Sequence, residues 1–514
     1  MAAFFNALSW IILIPVWQYP DEQAHFAQVQ DIAEIGEVPP ATLDTSYEIS
    51  LSEEILGTSR DGFGNNKYTY HPEYKLEYTQ NYFGIREQEI LQLPKSSRTE
   101  LVKREATVNP PLYYILGASI YKLFGNGSLL TRVYAVRMMS AVIFITTIYF
   151  SFQIGKLIFA KSQFLPIIIA SLVAFKPMLV FASTGVLPDT LTNLLFSLII
   201  YMSLQIILKG FSPKILGLSA LIVFMGFLTR QQFSISILII FLAIIFRIII
   251  YPKYIKQIAV LILATSLTYY LLSLNTSVPI LSNFRFQEDP LSALNMVSIS
   301  SFAQFTFWTM KHTVSEVLPW YWGVYRWLSL TLPAFVYQII NRLLILSFLG
   351  ILVRFISVAK NRQFTKTDLT ILFLIVSSLV YFLTISIGDY LFHLKYGYSF
   401  GIQGRYFFPL VVAHLSIILF GFWTIVEFLF KRKARYFLIL ILILVIIFND
   451  FTLFNVSSSF YENSNIAKFI IQASQYKPIL FKGYTILTII TLNLISQIVL
   501  VYLLTEKLIK SKNS

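Results

Sequence analysis

AAFFNALSWIILIPVWQYPDEQAH, Ala2 to His25, carries an uncharged apolar stretch straight into two adjacent carboxylates, Asp21 and Glu22. The stretch predicts a first transmembrane helix over Ala2–Trp17, with Trp10 and Trp17 helping to set its depth. It lacks the basic n-region and small-residue cleavage site of a signal peptide. The two acids then stand at a membrane edge, where ionisable groups are costly to hold and are read first as functional candidates. The same residues also suit a helix start, since Pro, Asp and Glu favour a first turn.

Working outward, the composition fits that start. Of 514 residues, 56% are hydrophobic and only 13% charged, which marks a polytopic membrane protein. The formal charge of +14 would suggest nucleic acid in a soluble chain. Here the basic residues fall in short gaps between apolar runs, so they report topology and exclude nucleic acid as a partner. With no cysteine, a thiol nucleophile, a thiolate metal site and a disulfide framework are all excluded.

Residues 18–110 are polar and hold 16 of the 26 acidic residues against 8 Lys and Arg. Apolar runs follow at Val133–Gly155, Phe164–Phe181, Leu187–Leu208, Ile215–Leu228, Phe233–Ile250 and Ile258–Leu274. Five more lie at Leu332–Val358, Leu369–Ile387, Tyr406–Phe430, Tyr436–Leu453 and Ile479–Leu504. With the first, these predict an all-α fold of about 12 spans. Alternating them from a cytoplasmic N-terminus puts Lys156, Lys161, Lys209, Lys214, the KRKAR run and the lysine tail inside. The charge rule then puts both termini in the cytoplasm and Asp21 on the extracytoplasmic side. The expected organisation is a transmembrane module over 1–454, with outer loops at 18–131 and 275–331. An outer segment, a last helix and a tail over 455–514 complete it, and the polar part of that segment suits acceptor or partner recognition.

Several ionisable residues fall near the outer helix ends on this topology. Asp189 opens the run PDTLTN, and Lys176 precedes Pro177. Arg137 lies in the second span, Arg230 in the turn LTRQQF, Arg342 in the eighth span, and Arg405 in GIQGRYFFPL. Each would cost about 2.5–3.5 kcal/mol at a helix centre, so a group of them at one leaflet points to a shared polar cavity. The plain alternative is local pairing, with Lys176 and Asp189 the obvious couple. Outward carboxylates beside cations suit a hydroxyl acceptor and a lipid phosphate: a phosphate leaves without a general acid, while the hydroxyl needs one base. His25 lies four residues after Asp21, on the same helical face, so the two could share a divalent metal ion. Trp308, Trp320, Trp322 and Trp327 read first as interfacial anchors and second as an aromatic wall for a sugar or headgroup.

Five motifs in order, PDEQAHF, NPPLYYIL (Asn109–Leu116), VLPDTLTN (Val186–Asn193), SEVLPWYWGVYRWLSLTLP (Ser315–Pro333) and IQGRYFFPL (Ile402–Leu410), resemble the GT-C superfamily of membrane glycosyltransferases. The likeness covers the chain to about residue 430. It is to a bacterial branch of predicted multi-pass proteins grouped with the dolichyl-phosphate-mannose protein mannosyltransferases. The resemblance implies inverting transfer of a sugar from a polyprenyl phosphate to a glycan, lipid or protein acceptor outside the cell membrane. It implies Asp21 as base or metal-linked carboxylate, with Glu22 and Asp189 supporting it. Arg405, Arg230, Lys176 and Arg137 would serve the donor phosphate. The competing class is a lipid-linked sugar or ion-coupled transporter or flippase, which should show repeated halves and broken helices. A non-catalytic part of an envelope polysaccharide assembly is a third.

Overall fold

The computed structural model describes residues 1–36, 44–61, 66–70, 73, 76–79, 83–103, 109–251, 299–399 and 401–513. The run expected at Ile258–Leu274 and the first part of the expected 275–331 loop lie outside them.

The first helix, α1 (Ala2–Leu13), ends earlier than the apolar run predicts. Pro15 supplies no N–H, and it disfavours helical geometry at the residue before it. Ile14 is accordingly extended. At 12 residues the helix rises about 18 Å, short of a roughly 30 Å hydrocarbon layer. Its break frees backbone carbonyls that a buried arginine later takes up.

After it come α2 (Glu22–Glu34), α3 (Leu112–Leu123), α4 (Leu129–Ile158), α5 (Leu165–Ala174), α6 (Pro177–Thr184), α7 (Asp189–Lys209), α8 (Pro213–Phe227) and α9 (Ile235–Ile250). The second half adds α10 (Ala334–Asn361), α11 (Lys366–Tyr396), α12 (Val411–Phe430), α13 (Tyr436–Ser458) and α14 (Tyr484–Asn513). Among the described residues, eight helical stretches are long and apolar enough to cross a membrane. α5 and α6 form a ninth if taken as one span, bent by 58°. That bend sits at Phe175–Lys176, just before Pro177, where a missing N–H interrupts the helical ladder. α1 and α8 are shorter apolar helices. The protein is thus an all-α membrane protein.

Its strands are short: β1 (Asp44–Ser46) pairs antiparallel with β2 (Leu101–Lys103), with Thr45 opposite Val102. β3 (Val324–Tyr325) pairs antiparallel with β4 (Leu330–Thr331), with Tyr325 opposite Leu330. The loop between β3 and β4 reaches the residues after α1, where Trp327 Nε1 donates to the Trp17 carbonyl. The core is built from α1, α4, α6 and α7, where Trp10, Trp17, Phe181, Phe196 and Tyr325 are almost wholly buried. α10 and α12 meet through Gly350 and Gly421, where a methyl on either glycine would overlap the facing backbone. Small residues of this kind let helices in lipid approach closely enough for dispersion contacts to hold them.

Candidate functional site

The two neighbouring acids face opposite ways. Asp21 occupies the position before α2 with φ 54°, ψ 21°, a left-handed conformation, and its side chain makes no capping hydrogen bond. Asp tolerates that geometry better than most residues, though still at a cost. The turn aims its carboxylate away from the helix it precedes. Arg405 Nη2 donates to Oδ2 at 3.0 Å and Arg60 Nη2 to Oδ1 at 3.4 Å, with the Asp21 side chain 30% exposed.

Glu22 is wholly buried against Arg137. Arg137 Nε donates to Oε1 at 2.7 Å and Nη2 to Oε2 at 2.6 Å, the two-pronged geometry that makes guanidinium–carboxylate pairs strong. The same guanidinium donates to the carbonyls of Ile14 and Pro15, both at 2.9 Å, freed by the end of α1. Glu22 also accepts from the Trp17 and Val186 amides. The pair ties α1, α2, α4 and the turn before α7 into one frame. Arg137 and Glu22, expected in the phosphate and catalytic sets, are thus wholly buried with their bonds turned to each other and to the backbone, and neither lines the cavity described below.

A second buried pair, Arg132 with Glu48, anchors the first polar loop in the same way, joined by Gln30, Ser46 and Tyr121. It holds the short helix Tyr47–Ile55 in place, and Arg60 follows five residues after that helix ends.

Asp189 opens α7, and Arg230 Nη2 donates to its Oδ1 at 3.0 Å. The Lys176–Asp189 couple anticipated from sequence does not form. Lys176 instead donates to the Tyr321 carbonyl, its ammonium 4.0 Å from the Tyr321 ring centroid, 4.4 Å from Trp322 and 5.0 Å from Phe408. Its helix break turns it toward that aromatic cage, and it does not line the cavity described next. Arg342, on an exposed face of α10, also stands apart.

The cavity holds about 240 Å³. Asp21, Arg60 and Arg405 supply its charges, Asn66 and Gln403 its amides, and Met178, Phe181, Tyr325, Trp327 and Leu328 much of its apolar wall. Trp327 and Leu328 are left-handed at φ 53° and 66°, following Arg326 at 51°. Three consecutive residues held there imply a wall fixed by its surroundings, here β3, β4 and the bond from Trp327 Nε1 to the Trp17 carbonyl at 2.9 Å. Gly404 lies so close to the Tyr321 backbone that a side chain there would overlap it. That contact holds the Arg405 turn against the wall.

Buried Arg405 keeps two donors, Nε and Nη1, without a hydrogen-bond partner, and Asp189 Oδ2 and Arg230 Nε are likewise unpartnered. Such atoms are rare in packed interiors and suit a polar ligand. Burial alone would raise the Asp21 carboxyl pKa, but Arg405, then His25 and Arg60, outweigh it and hold it below the ordinary value. His25 is lowered to about 4, mainly by burial, with Asp21 opposing and Arg230 adding to the fall. It also feels Asp189 and Arg405. Its Nδ1 lies 2.8 Å from the Tyr114 hydroxyl.

Asp21 and His25 are the residues expected from sequence to hold a divalent ion. Both Asp21 oxygens face guanidinium groups, and among the described residues no group of three His, Cys, Asp or Glu could hold a metal ion. Sequence reasoning missed Arg60, one arginine in a polar loop with no motif around it. Of the four tryptophans, only Trp327 joins the cavity wall, Trp322 cages Lys176, and Trp308 is exposed.

The family model described as Predicted membrane protein (DUF2142) matches residues 4–414. No curated protein and no solved structure matches the chain. With most of its length covered, the chain belongs to that membrane protein family.

Proposed function

We propose that this member of the family is a GT-C-like glycosyltransferase acting on a polyprenyl-phosphate sugar. The observation that carries the reading is Arg405: it bonds Asp21 through one nitrogen and keeps two buried donors free at the same cavity. A carboxylate and a partly free guanidinium side by side are the minimum for taking a proton from one reactant and receiving phosphate from the other.

In this reading the acceptor hydroxyl lies against Asp21, whose carboxylate takes its proton as the oxygen attacks the anomeric carbon. The bond from that carbon to the phosphate oxygen breaks, its electron pair leaving with the polyprenyl phosphate. Arg405 and Arg60 receive the charge. Attack opposite the leaving group inverts the anomeric centre. Asp189 and Arg230 steady the far side, and Phe181, Tyr325 and Trp327 offer apolar faces to the sugar. Lysine-rich loops at the opposite end of the bundle argue for an extracytoplasmic cavity.

A transporter or flippase for a lipid-linked sugar is the second reading, favoured by the 58° break between α5 and α6. The lysine at that break faces its aromatic cage and not the cavity, which weighs against it. Purified protein mixed with labelled polyprenyl-phosphate sugars and candidate acceptors separates the two. Label leaving the lipid supports transfer; label crossing a liposome membrane still attached to lipid, with none released, overturns it.

A further inference from the structure

A second cluster of unpartnered donors lies away from the Asp21 cavity. Tyr78 of the first polar loop meets Tyr461 and Tyr476, from the segment between α13 and α14, at ring separations of 5.5 and 6.3 Å. Lys477 brings its ammonium 5.3 Å from the centre of the Tyr461 ring. All four side chains are at most 2% exposed, yet neither the three hydroxyls nor the ammonium has a hydrogen-bond partner.

Nearby charge does not relieve Lys477. The groups that act on it are Arg137, Lys482 and Glu87. Glu87 already accepts from Lys482 at 2.6 Å, and Arg137 is saturated by Glu22 and carbonyls. Burial, with Arg137 and Lys482 adding to it, pushes the Lys477 amine well below the ordinary lysine range, because no anion beside it holds its proton. Backbone geometry points the same way: Tyr476 is left-handed at φ 53°, an outlier for an aromatic residue, directly before the buried lysine.

A lysine amine and three phenols buried together without protein partners are each unfavourable. Phenylalanine and methionine would fill the same space without that cost. The phenols can donate, and the lysine is a donor that an anion would keep charged, so the complementary group is an oxyanion. We propose that Lys477, Tyr78, Tyr461 and Tyr476 form an anion site for a phosphate group, of a lipid headgroup or of a free phosphate. The site does not depend on the glycosyltransferase reading, and it uses different residues from the Asp21 cavity.

The test is the unfolding midpoint of the purified full chain. It is measured in phosphate-free detergent against added inorganic phosphate, and in nanodiscs of neutral lipid with or without anionic phospholipid. Phosphate, or anionic lipid where the headgroup is the source, is expected to raise the wild-type midpoint saturably. Lys477→Met should weaken that response about tenfold, the scale of one lost charge-assisted bond. The double variant Tyr461→Phe, Tyr476→Phe should weaken it severalfold, and it carries the same reading should Lys477→Met fail to fold. Arg405→Gln removes any phosphate held in the Asp21 cavity, and the response that remains should still fall with Lys477→Met. Wild-type protein indifferent to both ligands overturns the proposal. So does an unchanged response in the variants, or a response abolished by Arg405→Gln.

Discussion

Asp21 and Glu22 are neighbours in sequence and opposites in structure. Asp21 stands in a left-handed turn, nearly a third exposed, held by two arginines that retain other surfaces in a cavity. Glu22 is sealed against Arg137, with its oxygens filled by two amides and a two-pronged guanidinium. One region is a frame whose groups are satisfied, the other a cavity whose groups are not. The contrast teaches that charge near a membrane edge does not itself mark a site; unfilled bonding capacity does.

The frame should break first. Glu22→Gln or Arg137→Met leaves a buried charge or donor set without its partner and should cost about 3–5 kcal/mol. Joint replacement by Leu and Met should recover much of that loss, as measured by thermal unfolding in detergent. Single variants as stable as wild type would dissolve the contrast.

Next in size comes the phosphate contact proposed for the cavity. Arg405→Gln should lower sugar transfer about 100-fold, the usual scale for losing one charge-stabilising donor, while shifting the midpoint little. Arg405→Lys should retain more activity but not all, since a point charge cannot copy a planar fork.

Much of the contrast could not be read in advance. The apolar runs and their lysine-rich gaps foretold the helices, because burial in lipid demands long apolar segments. Asp21, Asp189, Arg230 and Arg405 could be gathered to one end by counting spans. What could not be counted was direction. A single left-handed residue turns Asp21 outward, while a proline at position 15 frees the carbonyls that draw Arg137 inward. Lys176 and Asp189 lie across a short turn in sequence, yet the break before Pro177 sends the lysine to Tyr321 and leaves the acid to Arg230. Arg60 reaches the cavity only through the fold of a long polar loop.

Acid sharpens the comparison further. His25 is neutral in the folded protein down to about pH 4, whereas an unfolded histidine gains its proton near pH 6.5. Between those values the unfolded state binds more protons, so stability should fall as pH falls, by up to about 1.4 kcal/mol per pH unit. His25→Gln should flatten that slope in unfolding curves between pH 7 and 5. Asp21, held low by Arg405, should stay ionised across the same window, so acid loss of activity should follow loss of fold.

The smallest effect is expected at Lys176, because it faces its cage and not the cavity. Lys176→Met should change transfer by less than about tenfold, measured on the folded fraction, since burial of a paired amine is often matched by an apolar isostere.

The most direct test sets Asp21→Asn beside Glu22→Gln in one preparation, reading label released from a polyprenyl-phosphate sugar together with the unfolding midpoint. Asp21→Asn should lose about 100-fold or more of transfer and keep its midpoint, the scale of a missing general base, while Glu22→Gln should lose its midpoint first. Near-normal transfer by folded Asp21→Asn would contradict the account.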